Sequence, residues 1–308
     1  MKSLGIEIKN LHKKYDNVHA VKGIDLSIKK GEFYGLLGPN GAGKSTTINA
    51  ITSLVKPTSG EVKILGKDIV SDFRYARSQV GIASQELSND WFFPLEELLY
   101  YQAGFYGITR KNSKKRIEYI LEKLGLYEHR KKKMRMLSGG MKRRLQIAKA
   151  LVHDPQILIL DEPTAGVDVE LRHDLWEYLK ELHAEGKTIL LTTHYIDEAE
   201  LLCERVGIID SGKLIVEDTV KNLKNMVNKS GITIHTKGIF LNLDKILNNF
   251  NPSIDQSKIE ILTKTPNSDL PEIILKLSEN NIKIEDIQLS QASLEDVFLE
   301  LTGRKIND

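Results

Sequence analysis

Gly38-Pro39-Asn40-Gly41-Ala42-Gly43-Lys44-Ser45 sets three glycines, a lysine and a hydroxyl in a GxxxxGK[ST] spacing, which suits a polyphosphate. Glycine has no Cβ to block backbone N–H groups turned in on phosphate oxygens. A helix opening at the lysine adds the N–H groups of its first turn. Lys44 would reach the β- and γ-phosphates, the Ser45 hydroxyl would ligate Mg²⁺, and Thr46 would donate a further hydrogen bond to phosphate. The apolar run Ile157–Leu160 ends in Asp161-Glu162. Carboxylates at the carboxyl edge of a parallel sheet stand where ligands bind, so Asp161 would hold Mg²⁺. Strand alternation would send Glu162 the other way, to orient or deprotonate an attacking water.

A second anion site lies further on. Leu137-Ser138-Gly139-Gly140-Met141 puts a hydroxyl and two glycines ahead of the helical stretch Lys142–Ala150. One triphosphate has no obvious use for both sites within one subunit. A head-to-tail dimer resolves this: Ser138, Gly139 and Gly140 of one subunit would close over the γ-phosphate held by the other. One chain holds every element once, so the expected assembly is a homodimer with two equivalent sites; a heterodimer with a sister subunit is the other arrangement.

These residues need strands and helices to hold them. Ile6 and Ile8 alternate with polar residues, Val18–Ile28 continues the strand pattern, and Phe33–Leu37 is a short apolar strand entering the glycine-rich loop. Ser45–Leu54 reads as a helix ending at Pro57 and Gly60. Residues 61–85 read as short strands around a basic connector, and Glu96 to about Lys133 as helical. Glu170–Ala184 is a helix, Thr188–Thr193 a buried strand, Glu198–Cys203 a short helix, and Val206–Ile209 with Lys213–Val216 a hairpin around Ser211-Gly212. Alternating strands and helices imply parallel pairing and an α/β core.

Composition shifts after about residue 220, where Asn and Lys rise and the catalytic-looking motifs stop. Residues 232–302 read as three strand–helix pairs, with strands near Ile232–Thr236, Lys258–Thr263 and Lys283–Leu289 and helices near Asp244–Phe250, Pro271–Glu279 and Leu294–Leu301. Ser293 with Asp296 predicts a capping box for the last helix.

The 308 residues suggest about two domains at roughly 150 residues each. The net charge is only +2, so no global field favours nucleic acid. No apolar stretch approaches the roughly 20 residues that span a bilayer, and the first residues show no apolar signal segment. The one cysteine, Cys203, cannot form an intrachain disulfide and reads as a small buried apolar residue.

Taken in order, the phosphate loop, Gln85 after Val80–Ala83, the Leu137–Met141 turn, Asp161-Glu162, Asp168 and His194 resemble the ATP-binding subunits of ABC transporters over residues 4–220, about 70% of the chain. The resemblance implies a phosphate-loop ATPase domain at 1–220, with a helical subdomain at about 86–155, followed by a small α+β domain at 221–308. It implies that Tyr15 stacks on adenine and that Gln85 contacts Mg²⁺ and the attacking water. It further implies that His194 bonds the γ-phosphate and that Asp168 crosses the dimer interface. Many members have Gln where this chain has Met141, and a Met side chain cannot donate a hydrogen bond to the partner's nucleotide.

The segments Ala165–Asp168, Thr192–Glu200 and Ser293–Arg304 resemble the ABC-2 branch of drug and polymer exporters, whose members often carry a small C-terminal domain. The expected protein is then a cytoplasmic ATPase, peripheral on the inner face of the cell membrane through a separate permease, with ATP and Mg²⁺ and no nucleic acid. The alternative is a soluble ABC-type ATPase acting on ribosomes or nucleic acid, but those relatives usually carry tandem ATPase domains or a long coiled coil. A binding-only regulatory module would want the catalytic carboxylate missing, and Glu162 is present. The basic residues His129–Lys133, Arg135 and Lys142–Arg144 read as a solvated face, with an anionic lipid or partner surface as the other reading. Trp91–Leu95 reads equally as core packing or as an exposed aromatic groove for a membrane subunit.

Overall fold

The computed structural model describes residues 3–84, 92–164, 167, 169–227, 230–238, 240, 242–304 and 306. They form two compact units, Met1–Asp218 and Thr219–Ile306. The first runs β1 (Leu4–Tyr15), β2 (Val18–Lys29), β3 (Phe33–Leu37), α1 (Lys44–Ile51), β4 (Ser59–Ile64), β5 (Lys67–Asp68), α2 (Phe73–Ser78), β6 (Val80–Ala83), α3 (Leu95–Phe105) and α4 (Arg110–Lys123). It continues through α5 (Gly139–Leu151), β7 (Ile157–Asp161), α6 (Val169–Ala184), β8 (Thr188–Thr193), α7 (Ile196–Leu202), β9 (Arg205–Asp210) and β10 (Lys213–Thr219).

Two sheets organise this unit. One has the order β2-β1-β4-β5, and its pairs are antiparallel. The other has the order β10-β9-β3-β8-β7-β6, and β9, β3, β8, β7 and β6 run parallel. Every residue of β3, β7 and β8 is buried, as expected for central parallel strands covered on both faces. Ile48, Ala50 and Ile51 of α1 share one core with Ile6, Ile8, Ile28 and Ile64 of the antiparallel sheet and with Leu36, Ile159 and Leu190 of the parallel one. Burying each of the isoleucine and leucine side chains among them stabilises the fold by about 1.5–3 kcal/mol. That core fixes the base of the loop between β3 and α1.

Two stretches differ from the sequence expectation. The continuous helical reading of Glu96–Lys133 divides into α3, α4 and a 3-10 turn at Tyr127–His129, because Gly107 and Gly125 adopt φ of 73° and 61°, outside the helical range. The basic connector between the short strands contains a helix, α2, preceded by Asp68, whose carboxylate accepts from the Val70 and Ser71 N–H groups.

The second unit contains α8 (Val220–Lys224), β11 (Gly231–Thr236), α9 (Leu243–Ile246), β12 (Ser253–Asp255), β13 (Lys258–Leu262), α10 (Pro266–Glu279), β14 (Ile284–Ser290) and α11 (Leu294–Thr302). Its antiparallel sheet has the order β12-β13-β11-β14. Ile232, Ile234, Ile259 and Ile261 form its core with Leu243, Leu247, Ile273 and Leu277. The sheet has four strands among the described residues, not three; the extra edge strand β12 is three residues long and has no buried residue, so no buried alternation marks it. Helix α10 starts at Pro266, five residues ahead of the expected Pro271, which lies inside it. The capping box is present: Asp296 N donates to Ser293 Oγ at 3.2 Å, and Ser293 N donates to Asp296 Oδ2 at 3.0 Å.

Candidate active site

Parallel register brings the chemistry together. Leu37 pairs with Thr193, and Thr192 pairs with Asp161, so three neighbouring strands end level. Their next residues are Gly38, His194 and Glu162. This is the carboxyl edge of the sheet, where ligands of open α/β folds bind.

The Gly38–Ser45 loop wraps a buried ammonium. Lys44 Nζ donates to Gly38 O at 2.7 Å and to Pro39 O at 3.1 Å, and the side chain is only 4% exposed. A Cβ at Gly38 would lie 2.3 Å from Ile209 O. At Gly43 it would lie 2.7 Å from Ala20 O, on a φ of 107°. Both positions therefore require glycine. The turn at Gly212 fastens the loop, since Gly212 N donates to Ala42 O at 2.9 Å and Gly212 O accepts from Lys22 N at 2.8 Å. Asn40 and Gly41 are exposed, Ser45 and Thr46 half-buried. The first turn of α1 carries no acidic residue, so its N–H groups and dipole favour an anion.

Asp161 and Glu162 are both buried at 5% exposure, and both carboxylates act on Lys44. Burial pushes the Lys44 ammonium pKa down, and Glu162 and then Asp161 pull it back up. Glu162 Oε1 lies 3.5 Å from Lys44 Nζ and 3.3 Å from His194 Nδ1. Strand alternation therefore does not send Glu162 away from the loop. β7 ends at Asp161, and Glu162 takes a left-handed φ of 51° that turns its side chain back. Glu162 N donates to Thr192 O at 3.0 Å, and the Thr192 hydroxyl donates to Asp161 Oδ1. His194 Nδ1 is buried and, among the described residues, makes no hydrogen bond beyond its approach to Glu162 Oε1. Its ring packs on Tyr195, with centroids 4.1 Å apart, and Arg172 lies over the Tyr195 ring.

Ser138 caps α5: its hydroxyl accepts from Met141 N at 3.2 Å. Ser138 and Gly139 are exposed, and the first turn again lacks acidic residues. The basic triplet that follows is not a solvated face. Arg143 is 6% exposed, and its guanidinium donates to Pro163 O at 3.1 Å, Ser84 O at 3.0 Å, Asp161 O at 2.9 Å and Glu162 O. Arg144, half-buried, donates to Leu124 O at 2.7 Å. Sequence reading missed both because each bonds main-chain carbonyls, which no side-chain pattern announces. Lys131, Lys132, Lys133 and Arg135 are exposed.

Tyr15 ends β1 at 40% exposure, with Lys13 Nζ 4.7 Å from its ring centroid. Gln85, Trp91, Ala165, Gly166 and Asp168 lie outside the described residues. Phe92 and Phe93 are exposed, Phe93 edge-on to Tyr101 at 5.2 Å, while Leu95 is buried. Cys203 is buried, and burial pushes its thiol pKa well up.

The residues present fit a nucleoside triphosphate with a hard divalent cation. The loop has room for phosphate where Gly41 meets nothing within 4 Å, and Lys44 supplies a buried positive charge. The Ser45 hydroxyl and the Asp161 carboxylate are oxygen donors of the type Mg²⁺ takes. A parallel sheet with this loop, a carboxylate pair on the adjoining strand end and a histidine on the next defines a phosphate-loop nucleoside triphosphatase.

Comparison with known proteins narrows the class. The ABC transporter family profile matches residues 21–165. The chain is 37% identical over 310 residues to the linearmycin resistance ATP-binding protein LnrL of Bacillus subtilis (strain 168), covering 98% of this chain and 100% of that one. It is 37% identical over 304 residues to the Nod factor export ATP-binding protein I of Burkholderia pseudomallei (strain 1710b), covering 98% of each. A solved dimeric bacterial ABC transporter cassette, MJ0796, is similar with a TM-score of 0.65 and 31% identity, over 70% of this chain and 98% of that one. The chain belongs to the ATP-binding subunits of ABC transporters, and it is an ATPase of the exporter-type branch. The likeness runs through both units, which leaves the ribosome- or nucleic-acid-directed alternative without support. Among the described residues, no helix is long and apolar enough to cross a membrane.

Proposed function

We propose that two copies of this chain close head to tail over two ATP molecules and so drive export through a separate membrane permease. The observation that carries this reading is a pair of helix starts free of acidic residues in one chain, one built around buried Lys44 and the other exposed at Ser138. The phosphate loop of one protomer holds the triphosphate, and Ser138, Gly139 and Gly140 of the other cover its γ-phosphate. Residues 1–220 serve as the ATPase domain and 221–308 as an accessory domain.

Within each site Lys44 binds the β- and γ-phosphates, Thr46 donates to phosphate, and Tyr15 stacks on the base. Ser45 and Asp161, with Gln85, would hold Mg²⁺, which when bound would offset charge on the phosphate oxygens. Glu162 takes the proton of the attacking water, and His194 donates to the γ-phosphate and orients Glu162. Asp168 reaches across the interface. Closing and reopening form a two-state element biased by the γ-phosphate, which the permease converts into transport at the inner face of the membrane. The names of the resistance and export relatives support export, and the dimeric cassette supports pairing.

The test uses light scattering on purified full-length chain. With ATP and Mg²⁺, Glu162→Gln is expected to become a dimer, while Glu162→Gln with Ser138→Arg binds ATP and stays a monomer. Dimerisation that survives Ser138→Arg, or ATP affinity that Ser138→Arg abolishes, contradicts a site shared between protomers.

A further inference from the structure

We infer that Arg143 is a positioning residue for hydrolysis: it ties the helix that begins at Ser138 to the backbone that aims Glu162. The inference rests on the assignment of Glu162 as the base and of Ser138 as the contact to the partner's nucleotide. Arg143 lies five residues after Ser138 on α5, so the same rigid helix carries both. Its guanidinium meets three consecutive carbonyls, those of Asp161, Glu162 and Pro163, and also that of Ser84, the last described residue before Gln85.

This bonding has a specific consequence for Glu162. A non-glycine residue at φ 51° is strained and persists only where its surroundings hold it. Thr192 holds the Glu162 N–H from one side, and Arg143 holds the carbonyl from the other. Between them they fix the turn that brings Oε1 to 3.3 Å from His194 Nδ1. The planar fork of Arg serves several carbonyls at fixed angles, which the single ammonium of Lys cannot do. A shift of α5 on contact with a partner's nucleotide would therefore pass directly to Glu162 and to the segment entering Gln85. Arg143 touches no substrate in this arrangement and acts through Glu162.

The experiment compares Arg143→Lys and Arg143→Gln with the parent chain, alone and with Glu162→Gln. Expected for both variants is a cooperative fold, an ATP Kd and a KM within about threefold of the parent, and kcat reduced at least about tenfold. Added to Glu162→Gln, the Arg143 change should lower residual turnover no further, because residues acting as a unit are not additive. Losses that multiply, or parent-like kcat in a folded Arg143→Lys chain, would overturn the inference while leaving Glu162 as the base. Near-parent turnover of Glu162→Gln by itself would instead overturn the assignment on which the inference rests. If neither Arg143 variant folds, the residue serves only the core, and the inference fails on that ground.

Discussion

Lys44 Nζ and Glu162 Oε1 face each other at 3.5 Å, both buried. The ammonium that should bind phosphate and the carboxylate that should accept the water's proton thus begin as each other's partner. Lys44 Nζ already donates to Gly38 O and Pro39 O, so with three N–H groups in all a triphosphate bound at Lys44 would compete with Glu162 for it. Releasing Glu162 from Lys44 also frees it for a water molecule, so the same event that fills the site arms it.

Replacing Glu162 by Gln removes the charge that competes for Lys44 and the base that hydrolysis needs. ATP affinity of Glu162→Gln should equal or exceed that of the parent, while turnover falls at least about 100-fold, the scale of a lost general base. Calorimetry and a phosphate-release assay read the two separately. Weaker ATP binding would mean that the carboxylate supports the loop rather than competing with phosphate.

His153 should set an acid limit on stability. Its ring stacks on Tyr106 at 3.6 Å, and Nε2 donates to Val80 O at 3.1 Å. Burial, outweighing the Val80 bond, lowers its pKa from 6.5 to about 4. The folded chain then binds fewer protons than the unfolded one between these values, so the stabilisation is complete above pH 6.5 and is lost as pH falls towards 4. The loss amounts to at most about 3 kcal/mol, less with solvent screening of a half-buried ring. Urea unfolding at pH 7 and pH 4.5 should show this slope in the parent and a shallower one in His153→Phe; equal slopes would clear His153 of the effect.

Glu198 should act in the opposite sense. It is fully buried and accepts from Trp176 Nε1 at 3.1 Å. Burial raises its carboxyl pKa above 4.5, against smaller lowering by Thr193, Trp176, Thr164 and Arg172. The folded state therefore binds more protons, and stability declines as pH rises above 4.5 until the folded carboxyl has ionised. Glu198→Gln keeps the shape without the charge and should be at least as stable as the parent at pH 8, with that decline removed. A Glu198→Gln chain weakened equally at pH 5 and pH 8 would show that the amide disturbs packing and that charge is not the issue.

Much of the site could be read from residue types. The phosphate loop, the acid pair and the Ser138 turn declare themselves because glycines, a lysine or carboxylates in such spacings have few other uses, whereas His194 was legible only through the family resemblance. The strands beside them were equally legible, since Ile157–Leu160 and Thr188–Thr193 are apolar throughout. What escaped was set by backbone geometry. Glu162 departs from strand alternation because its residue is left-handed, and Arg143 looks like Lys142 and Arg144 in the sequence until its bonds to the carbonyls of Ser84, Asp161, Glu162 and Pro163 are seen. β12 escaped because three exposed residues carry no periodicity.

The turn at Ser211-Gly212, bonded to both Ala42 of the phosphate loop and Lys22 of β2, is a natural place from which to watch the site. Lys213 beside it is exposed, and the chain's single cysteine is buried. A fluorophore attached through Lys213→Cys would thus sit on the one accessible thiol, a few bonds from the loop yet outside it. Such a labelled chain would give an optical signal for each loading and emptying of the pocket, with or without its membrane partner.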